Sequence, residues 1–93
     1  MRVISNSALV SFAERHAEAG EPLQAWRRVI TVNDFGSFAD LKAVFNSVDK
    51  VGQYYVFNVG GNKYRLVTAI HFNTGMVFVR QVMTHKEYDR WRP

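Results

Sequence analysis

The spacing of apolar residues along this chain changes once, near residue 50, and the change divides a helical half from a strand-forming half. Leu9, Phe12, Ala13 and His16 recur at i, i+3, i+4 and i+7, one face of a helix that Asn6 or Ser7 can cap and that ends near Gly20. Pro22 opens a second helix with Leu23, Trp26 and Ile30 on one face and Gln24, Arg27 and Arg28 on the other. Two apolar stripes joined by a short connection predict an antiparallel pair. Ser37 followed by Asp40 forms a capping arrangement for a shorter third helix through Phe38, Leu41, Val44 and Phe45, ending before Ser47.

Beyond that point the residues are aromatic and β-branched and alternate. Tyr54 to Val59, Lys63 to Phe72 and Met76 to Met83 read as strands, with Gly60-Gly61 and Asn73-Thr74-Gly75 as the turns of an antiparallel meander. Arg2-Val3-Ile4 suits a short edge strand. Thr84 with Glu87 three residues on is a capping box, so a terminal helix should start at His85 and carry Tyr88 and Trp91. The expected fold is α+β over residues 1–93 as one domain: two N-terminal helices packed on a twisted antiparallel sheet, a short C-terminal helix, and the far sheet face partly open. Alternation puts Tyr64, Leu66, Thr68, Ile70 and Phe72 toward the core and Arg65, Val67, Ala69 and His71 on the open face. In the last strand Val77, Val79, Gln81 and Met83 alternate with Phe78, Arg80, Val82 and Thr84, and Arg80 is expected to share the open face with Arg65.

Charge follows the same division. The net charge is +4, but residues 1–49 carry five Lys and Arg against six Asp and Glu, whereas residues 50–93 carry seven against two. A basic strand-forming half points to an anionic partner such as nucleic acid; a solvated basic face is the bland alternative. With no cysteine, disulfide scaffolds and thiolate-held metals are excluded. No apolar run approaches the ~20 residues of a membrane span, and the N-terminus lacks the apolar stretch of a signal peptide. A cytoplasmic protein without membrane attachment is the expectation.

The basic half also carries groups suited to RNA chemistry. RNA supplies its own nucleophile, the 2′-hydroxyl, so cleavage needs in-line positioning, removal of the 2′ proton, stabilisation of charge on the phosphorus and protonation of the leaving 5′ oxygen. No metal or other cofactor is expected, since His16, His71 and His85 are far apart in sequence and only two acids lie in this half. His85, placed where the last strand meets the terminal helix, is the candidate general acid or base, because imidazole is the side chain suited to proton transfer near neutrality. Tyr88 can support it; a phenol acts as a base only beside cations such as Arg65 or Lys86, and Tyr88 equally suits stacking or packing. Arg65 and Arg80 are candidate phosphate clamps, a planar guanidinium matching two non-bridging oxygens. Lys86 can assist charge neutralisation, Lys63 can steer and contact the backbone, and Asn62 can hydrogen-bond RNA or serve as a turn residue in a left-handed conformation. His71, in mid-strand, is expected to be structural, and Trp26, Trp91, Phe12, Phe38, Phe45 and Phe57 to belong to the core or its margin.

Three segments together carry a family resemblance: Asp40-Leu41-Lys42-Ala43-Val44-Phe45, the hairpin Tyr55-Val56-Phe57-Asn58-Val59-Gly60-Gly61-Asn62, and Val82-Met83-Thr84-His85-Lys86-Glu87-Tyr88-Asp89. The chain resembles the HigB toxins of type II toxin-antitoxin systems, a branch of the RelE-like mRNA interferases. The resemblance implies a RelE-like fold and a ribosome-dependent, metal-independent endoribonuclease acting on mRNA. It also implies neutralisation by a HigA-like helix-turn-helix antitoxin, through which the toxin-antitoxin complex would bind operator DNA. Arg65, His85, Lys86 and Tyr88 fall where RelE-like toxins handle RNA, although the His-Lys pair departs from the basic residues that wider relatives carry, leaving acid and base unassigned. Two other readings stay open: a ParE-like gyrase inhibitor on the same scaffold, which needs no titratable cluster at the sheet end, and a binding module without catalysis. The antitoxin could dock on the helical half or on an open sheet edge.

Overall fold

The computed structural model describes all 93 residues. Its elements in chain order are β1 (Arg2–Ile4), α1 (Asn6–Arg15), α2 (Gly20–Thr31), α3 (Phe38–Val44), β2 (Asp49–Val51), β3 (Tyr54–Val59), β4 (Tyr64–His71), β5 (Met76–Thr84) and α4 (His85–Arg90). A 3-10 turn over Ala17–Ala19 joins the first two helices. The strands form one five-stranded sheet in the order β1-β5-β4-β3-β2, antiparallel except where β1 runs parallel to β5.

The expected α+β arrangement holds, with corrections of detail. Ser5, not Asn6 or Ser7, is the N-cap of α1, and it caps without a side-chain bond. Helix α1 stops at Arg15, short of Gly20; His16 ends it and leads into the 3-10 turn at Ala17. The α3 cap forms as read, Ser37 Oγ accepting from the Asp40 N–H at 3.3 Å. Strand β2 has no counterpart in the apolar pattern: it pairs with β3 across a turn at Gly52 and Gln53, where Gly52 has φ 60°. Its three residues are too few to show a period.

Leu9 and Phe12 of α1, Leu23, Trp26 and Ile30 of α2, and Leu41 of α3 bury their side chains against Phe57, Val59, Leu66, Ile70 and Val77 of the sheet. Full burial of each such large apolar side chain is worth roughly 1.5–3 kcal/mol, so this layer accounts for the attachment of the helical half. Tyr64 joins it edge-on to Phe12, with ring centroids 5.6 Å apart. The turn from β3 to β4 requires glycine at Gly60, whose φ is 66° and whose missing Cβ would lie 3.0 Å from the Tyr64 ring. Asn62 has no positive φ, since only glycines do in this chain, so it is not the left-handed turn residue that its position suggested.

The far sheet face is not simply open. Val56, Val67 and Met83 form a second buried cluster there, covered by Val51, Tyr54, Tyr88 and Trp91. Helix α4 and the residue after it thus close over one end of this face. The simple alternation expected in β5 fails for a local reason. Val67 pairs with Gln81 and Thr68 with Val79, which leaves Arg80 as an extra residue in a β-bulge. Past the bulge the parity inverts: Val79 and Val82 pack toward the helices, while Met83 turns to the far face beside Arg65.

Candidate active site

Two local devices place the candidate residues at one end of the far face. The first is the capping box of α4. Thr84 Oγ1 accepts from the Glu87 N–H at 3.1 Å, and a Glu87 carboxylate oxygen accepts from the Thr84 N–H at 2.8 Å. This fixes the angle at which the helix leaves β5 and brings Tyr88 back over the sheet. The His85 N–H also donates to the Lys63 carbonyl at 2.9 Å, tying the start of α4 to the β3–β4 turn. Thr84→Ala removes one side of the box and should cost about 1 kcal/mol of stability. Thermal unfolding measures that loss, and activity assayed well below the transition should also fall because Tyr88 loses its fixed position.

The second device is the binding of Arg65. It leaves β4 toward the far face as expected, but it is only 8% exposed. Asn62 grips its guanidinium at two points: the Asn62 carbonyl accepts from Nη1 at 3.3 Å and Asn62 Oδ1 accepts from Nη2 at 2.8 Å. The Tyr64 carbonyl accepts from Nη1 at 3.2 Å. Nε makes no bond within the protein. The Arg65 Cζ lies 5.7 Å from the centroid of the Tyr88 ring, a cation–π contact, and Tyr88 in turn stacks on Trp91 at 5.7 Å with 21° between the planes. No carboxylate pairs with Arg65; the ion pairs of this chain lie elsewhere. A buried guanidinium is ordinarily paired with an anion. Here carbonyl dipoles and an aromatic face stabilise it in place of a counter-ion.

The remaining candidates surround this centre at different degrees of exposure. His85 is exposed, its Nδ1 3.7 Å from Asp89 Oδ2 one helical turn on, with both side chains about half exposed or more. Lys86 is exposed at the same helix start. Arg80 lies on the far face at the bulge, its Cζ 5.3 Å from the Phe78 ring, farther along the sheet from α4 than Arg65. Lys63 turns the other way: its Nζ is 3.0 Å from Glu18 Oε2 in the 3-10 turn. This pairing holds the Glu18 carboxyl below its ordinary range and raises the Lys63 ammonium, in each case first through the hydrogen bond and then through the charge. Its contribution to stability is lost as pH falls through the depressed Glu18 value and as pH rises through the raised Lys63 value. Both groups are exposed, so solvent keeps that contribution small.

The structure therefore brings Arg65, Asn62 and Tyr88 into direct contact, keeps His85 and Lys86 at the adjoining helix start, and sets Arg80 and Lys63 apart. Asn62 serves the site differently from the sequence reading, holding Arg65 with both of its oxygens. His71 also departs from expectation: it ends β4, is exposed, and meets Phe78 edge-on at 5.1 Å. Trp91, at the C-cap of α4, is the backing for Tyr88, a role visible in sequence only as an aromatic at i+3. No cluster of three metal-ligating side chains exists in the fold. No helix is long and apolar enough to cross a membrane.

Chemically, the cluster can hold a phosphate at the guanidinium edge left by Asn62, place an aromatic ring beside it, and offer an imidazole and an ammonium from the start of α4. Comparison with known proteins bears on that capacity. The family model for the HigB toxin, described as a RelE-like toxic component of a toxin-antitoxin system, matches residues 19–91. The mRNA interferase toxin HigB of Escherichia coli strain K12 is 40% identical over 92 residues, covering 96% of this chain and 88% of its own length. The mRNA interferase HigB of Shigella flexneri has the same identity and coverage. The mRNA interferase HigB of Escherichia coli O6:H1 is 29% identical over 93 residues, covering 97% of this chain and 90% of its own length. On fold, matched length and identity alike, the chain belongs to the HigB family of RelE-like toxins.

Proposed function

We propose that this toxin acts by cleaving mRNA without a metal ion, and that the buried, carboxylate-free Arg65 is the centre of the reaction. The observation that supports this most strongly is that unpaired guanidinium, fixed from behind by Asn62 and covered by Tyr88. The names of the relatives, which are mRNA interferases over nearly the same length, point the same way.

In the proposed reaction the 2′ oxygen attacks the adjacent phosphorus while a base takes the 2′ proton. The bond from phosphorus to the 5′ oxygen then breaks, and an acid protonates that oxygen. His85 serves as acid or base at one end of this line, with Tyr88 supporting it. Arg65 donates hydrogen bonds to the non-bridging oxygens as their charge grows, where a preorganised donor in a partly desolvated site acts most strongly. Lys86 adds positive charge at the helix start, Arg80 engages the phosphodiester chain farther along the sheet, and Lys63 exchanges Glu18 for RNA as the strand approaches. Asn62 contributes by orienting Arg65.

The substrate is mRNA engaged in translation on the ribosome, which places the protein in the cytoplasm. A HigA-like antitoxin holds it inactive, and the complex binds operator DNA through that antitoxin. The chemistry is tested by end-group analysis of RNA cut on programmed ribosomes. The expected products carry 2′,3′-cyclic phosphate and 5′-hydroxyl ends; 5′-phosphate ends would mean that water, not the 2′-hydroxyl, is the nucleophile.

A further inference from the structure

The far face holds a second polar feature that the proposed reaction does not use in full. A cleft of about 310 Å³ lies toward the opposite end of the strands from α4, lined by Gln53, Tyr54, Ala69, Ile70, His71 and Arg80. Its size falls near the lower bound of small-ligand sites, ~300 Å³, which suits a single nucleotide better than a longer segment.

Its walls have the chemistry of base recognition. Tyr54 and His71 lie on the same sheet face as Arg65, because Tyr54 shares the parity of Val56, which pairs with Val67, and His71 shares that of Arg65 along β4; each ring is held from one side by an edge-on neighbour, Trp91 at 5.9 Å for Tyr54 and Phe78 at 5.1 Å for His71. Gln53 offers a side-chain amide, held only by a long 3.4 Å contact to the Tyr54 hydroxyl. Arg80 is there because of the bulge: as the extra residue of β5 it projects over Phe78 at the rim, and neither it nor His71 forms an ion pair. Bulges commonly re-aim a side chain beside a functional site. Ala69 leaves the floor shallow enough for a planar ring. Along β4, Ala69 stands four residues from Arg65, roughly 13 Å at the usual strand rise, so an RNA strand lying across this face can reach both.

We infer that this cleft is a subsite for one nucleotide flanking the scissile bond. The base stacks against Tyr54 and His71, Gln53 hydrogen-bonds its polar edge, and Arg80 holds the phosphate beside it. This rests on the cleavage reading above and adds to it a source of base preference. Stacking tolerates every base, whereas an amide placed at a base edge discriminates among them.

The test is a set of mRNAs on programmed ribosomes in which each nucleotide flanking the cleavage position is varied through all four bases, with kcat/KM measured for wild type, Gln53→Ala and Ala69→Phe. Gln53 is exposed in a turn, so its variant should fold normally, and Asn73→Ala on the neighbouring turn serves as the control. Wild type should discriminate among bases at one flanking position. Both cleft variants should flatten that discrimination and lower kcat/KM on the favoured RNA by about tenfold, the scale of one base-stacking or base-edge contact. Wild type without preference at any position, or variants that retain the wild-type spread and rate, would overturn the subsite and leave cleavage standing. Wild type that cuts none of the RNAs would overturn both.

Discussion

Arg65→Met should remove RNA cleavage by at least about 10²–10³ in kcat, the cost of losing one preorganised donor to transition-state charge, while leaving the protein folded. The two halves of this expectation have separate causes. Catalysis fails because the guanidinium edge that meets the non-bridging oxygens is gone. The fold survives because the methionine side chain refills the space beside Val67, Met83 and Tyr88 and leaves no counter-ion stranded, while exposed Asn62 can turn its freed oxygens to water; the Tyr64 carbonyl loses this donor, which should cost about 1–3 kcal/mol. Arg65→Lys retains the charge but not the fork that Asn62 grips at two points, so it should recover little activity. Single-turnover cleavage and thermal unfolding on the same preparations check both halves. An Arg65→Met protein that unfolds but cleaves normally at low temperature would mean that the arginine is structural only.

His85→Ala should lower kcat by about 10²–10⁴, the range for losing a positioned general acid or base. His85 is exposed and its Nδ1 lies 3.7 Å from Asp89, a loose contact, so removing the ring should change stability little. The informative readout is the pH–rate profile, because a variant that has lost a proton-transfer group loses a limb of the profile and not merely its height. Tyr88 separates into two questions. Tyr88→Phe keeps the stacking on Trp91 and the contact with Arg65 but lacks the hydroxyl, whereas Tyr88→Ala loses all three. If the hydroxyl takes part in proton transfer, Phe and Ala should be similarly impaired; if the ring only covers Arg65, Phe should retain most of the activity.

What could be read along the chain was whatever is encoded locally. The stripe of Leu23, Trp26 and Ile30, the Ser37 cap, the Gly60-Gly61 turn and the Thr84–Glu87 box each lie within a few residues, and each formed. The misreadings share a different character. Strand β2 exists only because Asp49–Val51 finds β3 across a turn, and the inverted parity of β5 depends on pairing with β4 that no single-strand pattern reveals. Alternation puts Arg65 on the right face but does not show how much of that partly open face is covered. Whether α4 folds back over it depends on the angle set by the capping box and on Trp91 supporting Tyr88, a tertiary consequence of residues that lie 19 to 26 positions away. Asn62 looked like a turn or RNA-binding residue for the same reason, since its bonds to Arg65 appear only once the turn has its three-dimensional shape. Lys63 was legible as a basic residue, and Glu18, which occupies it, is 45 positions earlier in the chain.

In the proposed reaction a fixed, carboxylate-free arginine and the adjoining helix start cleave RNA together. Mapping of new 5′ ends by primer extension on an mRNA, alone and on programmed ribosomes, with wild type, Arg65→Met and His85→Ala, tests it most directly. Wild type on the ribosome should give discrete new ends, and both folded variants should lose them. Absence of new ends with folded wild type under every condition, or equal cleavage by all three proteins, would contradict it.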